Sequence, residues 1–151
     1  MKWITRERPK IDRIACPWLI THFIDPAPEF LYVPAAQVLA LAASLGATPY
    51  DIPGVEMSHV GERCSFDAFL AKYGLTQPAL QQLALIVRGA DTSRLDLTPQ
   101  SPGLYALSLG LSQCHTDDHA MLAHGLVMYD ALYAWCLSCQ GETHAWPPKM
   151  Q

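Results

Sequence analysis

The sequence has little charge. Lys and Arg number 10, Asp and Glu 14, and charged residues make up 16% of 151, while half are hydrophobic. A disordered chain needs the reverse balance, so disorder is excluded as the main state. The net charge is −4 and no Lys/Arg stripe occurs, which argues against a nucleic-acid binder. His, Asp, Gly or Pro interrupts every apolar stretch well before about 20 residues, so no membrane span is expected. The opening residues MKWITRERPK lack the apolar core and small-residue cleavage site of a signal peptide, and a cytoplasmic location is expected. There is no Walker-type loop, no G-x-G-x-x-G, no G-x-S-x-G and no zinc-spaced pair of C-x-x-C motifs. No nucleotide cofactor is therefore expected.

Five cysteines are present: Cys16, Cys64, Cys114, Cys136 and Cys139. An odd, scattered set is not a disulfide framework. Cys136 and Cys139 form one C-x-x-C, but late in a helical pattern and not at a helix start after a strand. Both read as small apolar residues of a reduced protein.

The length suits one domain, read here as residues 3–146 with a loose tail at 147–151. The pattern is mostly helical. Helices are predicted over 12–24, 34–45, 66–73, 76–88, 103–112 and from Thr116 to about 139. Pro34, Ser65, Pro78 and Thr116 mark starts, and Gly46, Gly74 and Gly141 mark stops. Strands are expected at 29–33 and 50–52. The sum is a single helical domain of about six helices with a small two-stranded β element. In the last helix, Met121, Gly125, Met128, Leu132, Trp135 and Cys139 share one face, and Leu126, Tyr129, Tyr133 and Leu137 cover much of another. Such a helix is expected to be buried. Asp130 would then need a partner, for which Arg13 or Arg88 is available.

Four motifs could carry chemistry. In Asp12-Arg13-Ile14-Ala15-Cys16-Pro17, Pro17 disrupts a helix begun at Asp12. Starting the helix at Cys16 would place its sulfur at a positive helix end, with Arg13 adding charge. That arrangement suits an oxyanion. Glu56 and His59 have the Glu-x-x-His spacing of carboxylate–imidazole metal sites, in a loop flanked by Gly54 and Gly61. Around Cys114–His119, Asp117 and Asp118 suit the first turn of a helix, and His119 faces its apolar side. Asp130 lies about 16 Å further along the axis, too far to share an ion with His119. Arg88 and Asp91 fall at a helix end, where a structural role leads.

The runs DRIACPWLITHFIDP (12–26), EFLYVPA (29–35), PGVEMSHVGERCSFDAFLAKYGL (53–75), LALIVRGADTSRLDL (83–97) and DDHAMLAHGLVMYDALYAW (117–135) resemble the bacterial chromate-resistance family. The likeness is to the C-terminal domain of the chromate-sensing regulator of chromate-resistance operons. It covers nearly the whole chain. The matching positions most characteristic of the family are Asp12, Arg13, Cys16, Trp18, Glu56, His59, Cys64, Asp91, Asp118, His119 and Asp130. The resemblance implies a role in sensing chromate or lowering its accumulation, and no settled reaction. Fuller regulators carry an N-terminal region thought to bind DNA, which this sequence is not expected to include.

Three hypotheses follow. A sensor module would bind chromate or a metal ion, with Asp12, Arg13, Cys16 and Arg88 as ligand-binding residues. A metal-dependent enzyme in redox defence or hydrolysis would hold Mn, Fe or Zn with Glu56, His59, His119 and Asp118. A thiol mechanism would have Cys16 or Cys64 reduce chromate. The expected partners are a small inorganic anion or metal ion, with neither nucleic acid nor membrane, and a homodimer is compatible with the sequence. The pocket is expected where the N-terminal motif, the 54–67 loop and the start of the last helix meet.

Overall fold

The computed structural model describes residues 1–144, so the expected tail at 147–151 lies outside the described residues. Strand β1 (Lys2–Arg6) sits at the centre of a three-stranded parallel sheet, between β2 (Glu29–Val33) and β3 (Thr48–Pro49). Trp3 pairs with Phe30 and Thr48, and Ile4 with Leu31 and Pro49. Both faces of β1 are covered, which is why its middle residues Trp3, Ile4 and Thr5 are all buried. Trp3 packs toward Phe69 at 5.8 Å. Ile4 joins a second, smaller core with Val38, Ala42, Ala47 and Ile52. The sheet therefore has three strands, not two. The one not expected is β1, whose Trp-Ile-Thr centre is a good strand sequence bracketed by charges. The strand expected at 50–52 forms instead as β3 two residues earlier, leaving Asp51 in the loop beyond it.

Six α-helices accompany the sheet among the described residues: α1 (Asp12–Phe23), α2 (Val38–Leu45), α3 (Ser65–Lys72), α4 (Pro78–Asp91), α5 (Ser101–Cys114) and α6 (Asp118–Ser138). A 3-10 turn over Ala35–Gln37 precedes α2. Helix α1 starts at Asp12 and carries Pro17 inside it. Proline leaves the carbonyl four residues earlier without its helical donor. That carbonyl belongs to Arg13, and the Tyr32 hydroxyl of β2 donates to it at 3.4 Å. Cys16 is consequently buried in mid-helix and not at a helix end.

Helix α6 lies against α1. A Cβ at Gly125 would stand 2.5 Å from Ile14 Cγ2, so this contact requires glycine. Tyr129 donates to the Ile11 carbonyl at 3.0 Å. Helix α6 departs from the sequence reading in two ways. Its N-cap is Asp117, which accepts from the Ala120 N–H at 2.7 Å. Its burial is partial, confined to Met121, Leu122, Gly125, Tyr129 and Cys136, with Val127 and Leu137 exposed. By length and composition alone this helix is long and apolar enough to cross a membrane.

Candidate functional site

The strand order places β2 on one side of β1 and β3 on the other. In open parallel sheets, the crevice at the carboxyl ends where the order reverses is the usual ligand position. Here four elements converge on that edge. Arg6 ends β1, Asp12 and Arg13 open α1, Asp51 follows β3, and Asp91 ends α4. His59 comes from the loop between β3 and α3.

The imidazole Nε2 of His59 lies 3.0 Å from Asp91 Oδ2, 3.4 Å from Asp51 Oδ1 and 3.7 Å from Asp12 Oδ2. One ligand atom each from Asp12, His59 and Asp91 lies within 4.8 Å of the other two. Among the described residues this is the one grouping of three or more His, Cys, Asp or Glu side chains with metal-ligand proximity. Asp12 is 1% exposed, Asp51 5%, and His59 remains open to solvent. Above them His59, Gly61, Glu62, Asp91 and Thr92 line a cleft of about 470 Å³.

Each carboxylate is held differently. Asp12 accepts from the backbone N–H of Ser65 at 2.6 Å and of Phe66 at 3.0 Å, so it occupies the positive start of α3. The Cys16 thiol also donates to it at 3.3 Å. Burial, then the charges of Asp91 and Asp51, still push the Asp12 carboxyl well above the usual range. Asp91 is raised as well, first by burial and then by Asp51, against the pull of His59. Asp51 is compensated by cations: Arg6 Nη2 is 3.0 Å and Arg13 Nε 3.3 Å from its Oδ2, and Ser65 Oγ donates to its Oδ1 at 2.8 Å. Two non-glycine residues here have left-handed backbones, Ile11 at φ 45° and Asp51 at φ 51°. Such strain costs on the order of 1–3 kcal/mol each and gathers at functional sites.

The structure regroups the residues singled out from sequence. His59 and Asp12, expected in different ligand sets, meet, and Arg13 stands one residue behind. Glu56 does not join His59. It points outward to Lys72, with Nζ 2.7 Å from Oε1. The three-residue spacing fails because 53–64 is an irregular loop and not a helical turn. Asp118 is taken by Arg8, whose N–H donates to its Oδ2 at 3.0 Å and whose guanidinium lies 3.3 Å from its Oδ1. His119 packs edge-on against Tyr32, ring centroids 5.5 Å apart. Arg88 clamps Asp67 through Nε at 2.9 Å and Nη2 at 2.6 Å, and Asp67 in turn caps α3 at the Cys64 N–H. Asp130 pairs with neither arginine. It is half exposed and accepts from Trp18 Nε1 at 2.7 Å, with His22 Nε2 at 3.1 Å.

The thiols are poorly placed for reactivity. Burial first, then Asp12, raises the Cys16 thiol well above its usual value, and burial with Asp12 and Asp67 raises Cys64. A thiolate needs an exposed, electropositive setting. The sequence reading passed over Asp51, placed in a strand, and gave Asp91 a structural role at a helix end although it is among the positions most characteristic of the family. The signal for Asp91 was that apolar helical spacing continues through Val87 and Ala90, so the helix carries Asp91 on its last turn.

The sequence profile described as "ChrB, C-terminal domain" matches residues 3–136. The chain belongs to the ChrB C-terminal domain family. It is similar to "Protein ChrB" of Cupriavidus metallidurans, 31% identical over 133 residues. That match covers 87% of this chain and 40% of the relative, so the chain spans about two fifths of that protein's length. No solved structure matches the chain. The match takes in every carboxylate and the histidine of the cluster.

Proposed function

We propose that this chain is a chromate-resistance protein that acts by binding a divalent cation in the cleft formed by Asp12, His59 and Asp91. Family membership supports the resistance role. The observation that carries the metal reading is the convergence of two carboxylate oxygens and one imidazole nitrogen within 4.8 Å. An oxygen–nitrogen set of this kind suits Mn²⁺, Fe²⁺ or Zn²⁺. Charge agrees with a dication. Asp51 already has Arg6 and Arg13, while among the described residues no Lys or Arg pairs with Asp12 or Asp91. The acids that burial and mutual repulsion make uncomfortable would be relieved by the ion.

The same charges disfavour chromate as the direct occupant, since a dianion would meet three carboxylates. Raised thiols likewise disfavour a Cys16 or Cys64 reductant. A sensing role, in the cytoplasm where five unpaired cysteines stay reduced, fits a site that is partly exposed and preformed. The test is calorimetric titration of chelator-treated protein with MnCl₂ and ZnCl₂, together with elemental analysis of freshly purified protein. One equivalent bound by the wild type, and loss of binding in His59→Ala and Asp91→Asn, is expected. Absence of stoichiometric metal and of uptake would remove the reading.

A further inference from the structure

Helix α5 is built inside out. Its buried positions are Ser101, Leu104, Ser108 and Ser112, whereas Tyr105 and Leu107 are exposed, Leu107 by 61%. A surface helix ordinarily turns its polar side to water. Here serines face the core, and the buried Ser108 hydroxyl has no hydrogen-bond partner among the described residues. Helix α6 continues the outward apolar face. Leu104, Leu107, Met128, Ala131, Leu132 and Trp135 line a groove of about 410 Å³ between the two helices, and neighbouring Val127 is 66% exposed.

Glycines supply a second observation. Gly103, Leu107 and Gly110 recur at spacings of four and three, so they share one side of α5. Glycine weakens a helix relative to alanine. At Gly125 the fold demands it, but a Cβ on Gly103 or Gly110 would meet nothing within 4 Å among the described residues. Close approach of another backbone would account for both glycines.

Charge identifies the occupant. Helices α5 and α6 contain no Lys or Arg, and their acids Asp118 and Asp130 are engaged with Arg8 and with Trp18 and His22. The chain has a net charge of −4, so two copies repel wherever their acidic surfaces meet. The α5–α6 face is free of that penalty. A twofold contact requires a surface complementary to itself, and a charge-free face with leucine beside glycine is one. With axial lengths of about 21 and 31 Å, the helices offer on the order of 500–600 Å² per copy, close to the lower bound for a specific interface. We propose that α5 and α6 form a homodimer interface, with Gly103 and Gly110 admitting the partner's α5 around Leu107.

Sedimentation velocity and light scattering of the full chain across a dilution series test this. A species of twice the 16.7 kDa chain mass, dissociating on dilution, is expected. Leu107→Glu and Gly110→Leu should each weaken association at least about tenfold with an unchanged far-UV spectrum. Should Leu107→Glu misfold, Gly110→Leu carries the test, because its side chain has open space in a monomer. Leu39→Glu, an exposed leucine on α2, should leave association intact. A wild type that stays at 16.7 kDa throughout overturns the proposal. So does dissociation by Leu39→Glu alone, or a dimer that both face variants leave unchanged. Flotation of the protein with neutral phosphatidylcholine vesicles would assign the face to lipid instead. None of these outcomes depends on metal binding.

Discussion

The cleft at the strand ends and the α5–α6 face depart from folding economy in opposite directions. The cleft concentrates like charge where water is scarce: three carboxylates surround one histidine, two of them more than nine-tenths buried. The helical face is the reverse, with leucine, valine and glycine in water and serine inside. A chain selected only to fold would avoid both, since buried charge and exposed apolar surface each cost free energy. Local rules tend to fail where function is located. Among the described residues Asp12 and Asp91 have no Lys or Arg partner, and the face lacks a cover of matching chemistry. The missing component therefore differs in kind: an ion in one place, a protein surface in the other.

The largest effect separates structural from functional acids within the cleft. Asp12 closes two buried N–H groups at the start of α3. Asp12→Ala leaves both unpaired and should destabilise the protein by on the order of 3 kcal/mol. Urea denaturation measures it. A loss comparable with that of an exposed surface acid would mean that α3 does not depend on Asp12, and that the residue's burial serves the cation alone.

pH comes next and tests the sign of the cleft's electrostatics. Asp12 and Asp91 are both raised above the usual carboxylate value. The folded chain therefore holds protons that the unfolded chain has released. Stability of the metal-free protein is greatest below about pH 4 with respect to these groups and declines as pH rises through their folded values. The slope is at most about 1.4 kcal/mol per pH unit for each such proton. Metal uptake should run the other way, strengthening as pH rises, because the ion displaces those protons. Melting curves with and without MnCl₂ at several pH values show both trends. Parallel curves would place the cation elsewhere.

Much of the fold was legible because short-range signals were unambiguous. Pro78 opens α4, Gly46 closes α2 in the left-handed conformation, and EFLYV forms β2 over the expected residues. β1 was missed because its strand-forming centre is only Trp3-Ile4-Thr5, bracketed by charges, whereas β2 has four apolar or aromatic residues in a row, Phe30 to Val33. The candidate site was half legible. Asp12, Arg13 and His59 were named because their residue types suit ligands. What brings them together is the β1–β3 reversal, which leaves no local mark, and the last turn of α4, whose one local sign is the apolar spacing that continues through Val87 and Ala90. Glu56 shows the converse error, in which correct spacing was read on a segment that is not a helix.

Asp91→Asn should have a smaller effect on stability, with opposite signs for the two properties. It removes one of the mutually repelling carboxylates without breaking a backbone cap. The metal-free protein should gain about 1 kcal/mol, while Mn²⁺ binding falls at least about tenfold. Thermal melts with and without the ion measure both. Lower metal-free stability would show that Asp91 is held by the His59 contact more than it is opposed by Asp12 and Asp51.

The smallest expected effect is at Glu56, and its smallness is informative. Glu56 is well exposed and pairs with Lys72 across solvent, where ion pairs contribute little. Glu56→Gln should leave stability and Mn²⁺ affinity unchanged, in contrast to His59→Ala three residues on. Both residues sit in the same loop, so the pair of variants isolates direction from proximity in sequence. Equal loss of metal in both would mean that the loop turns Glu56 inward when the ion arrives. The cleft would then be completed by rearrangement, whereas the α5–α6 face presents its apolar groove already formed.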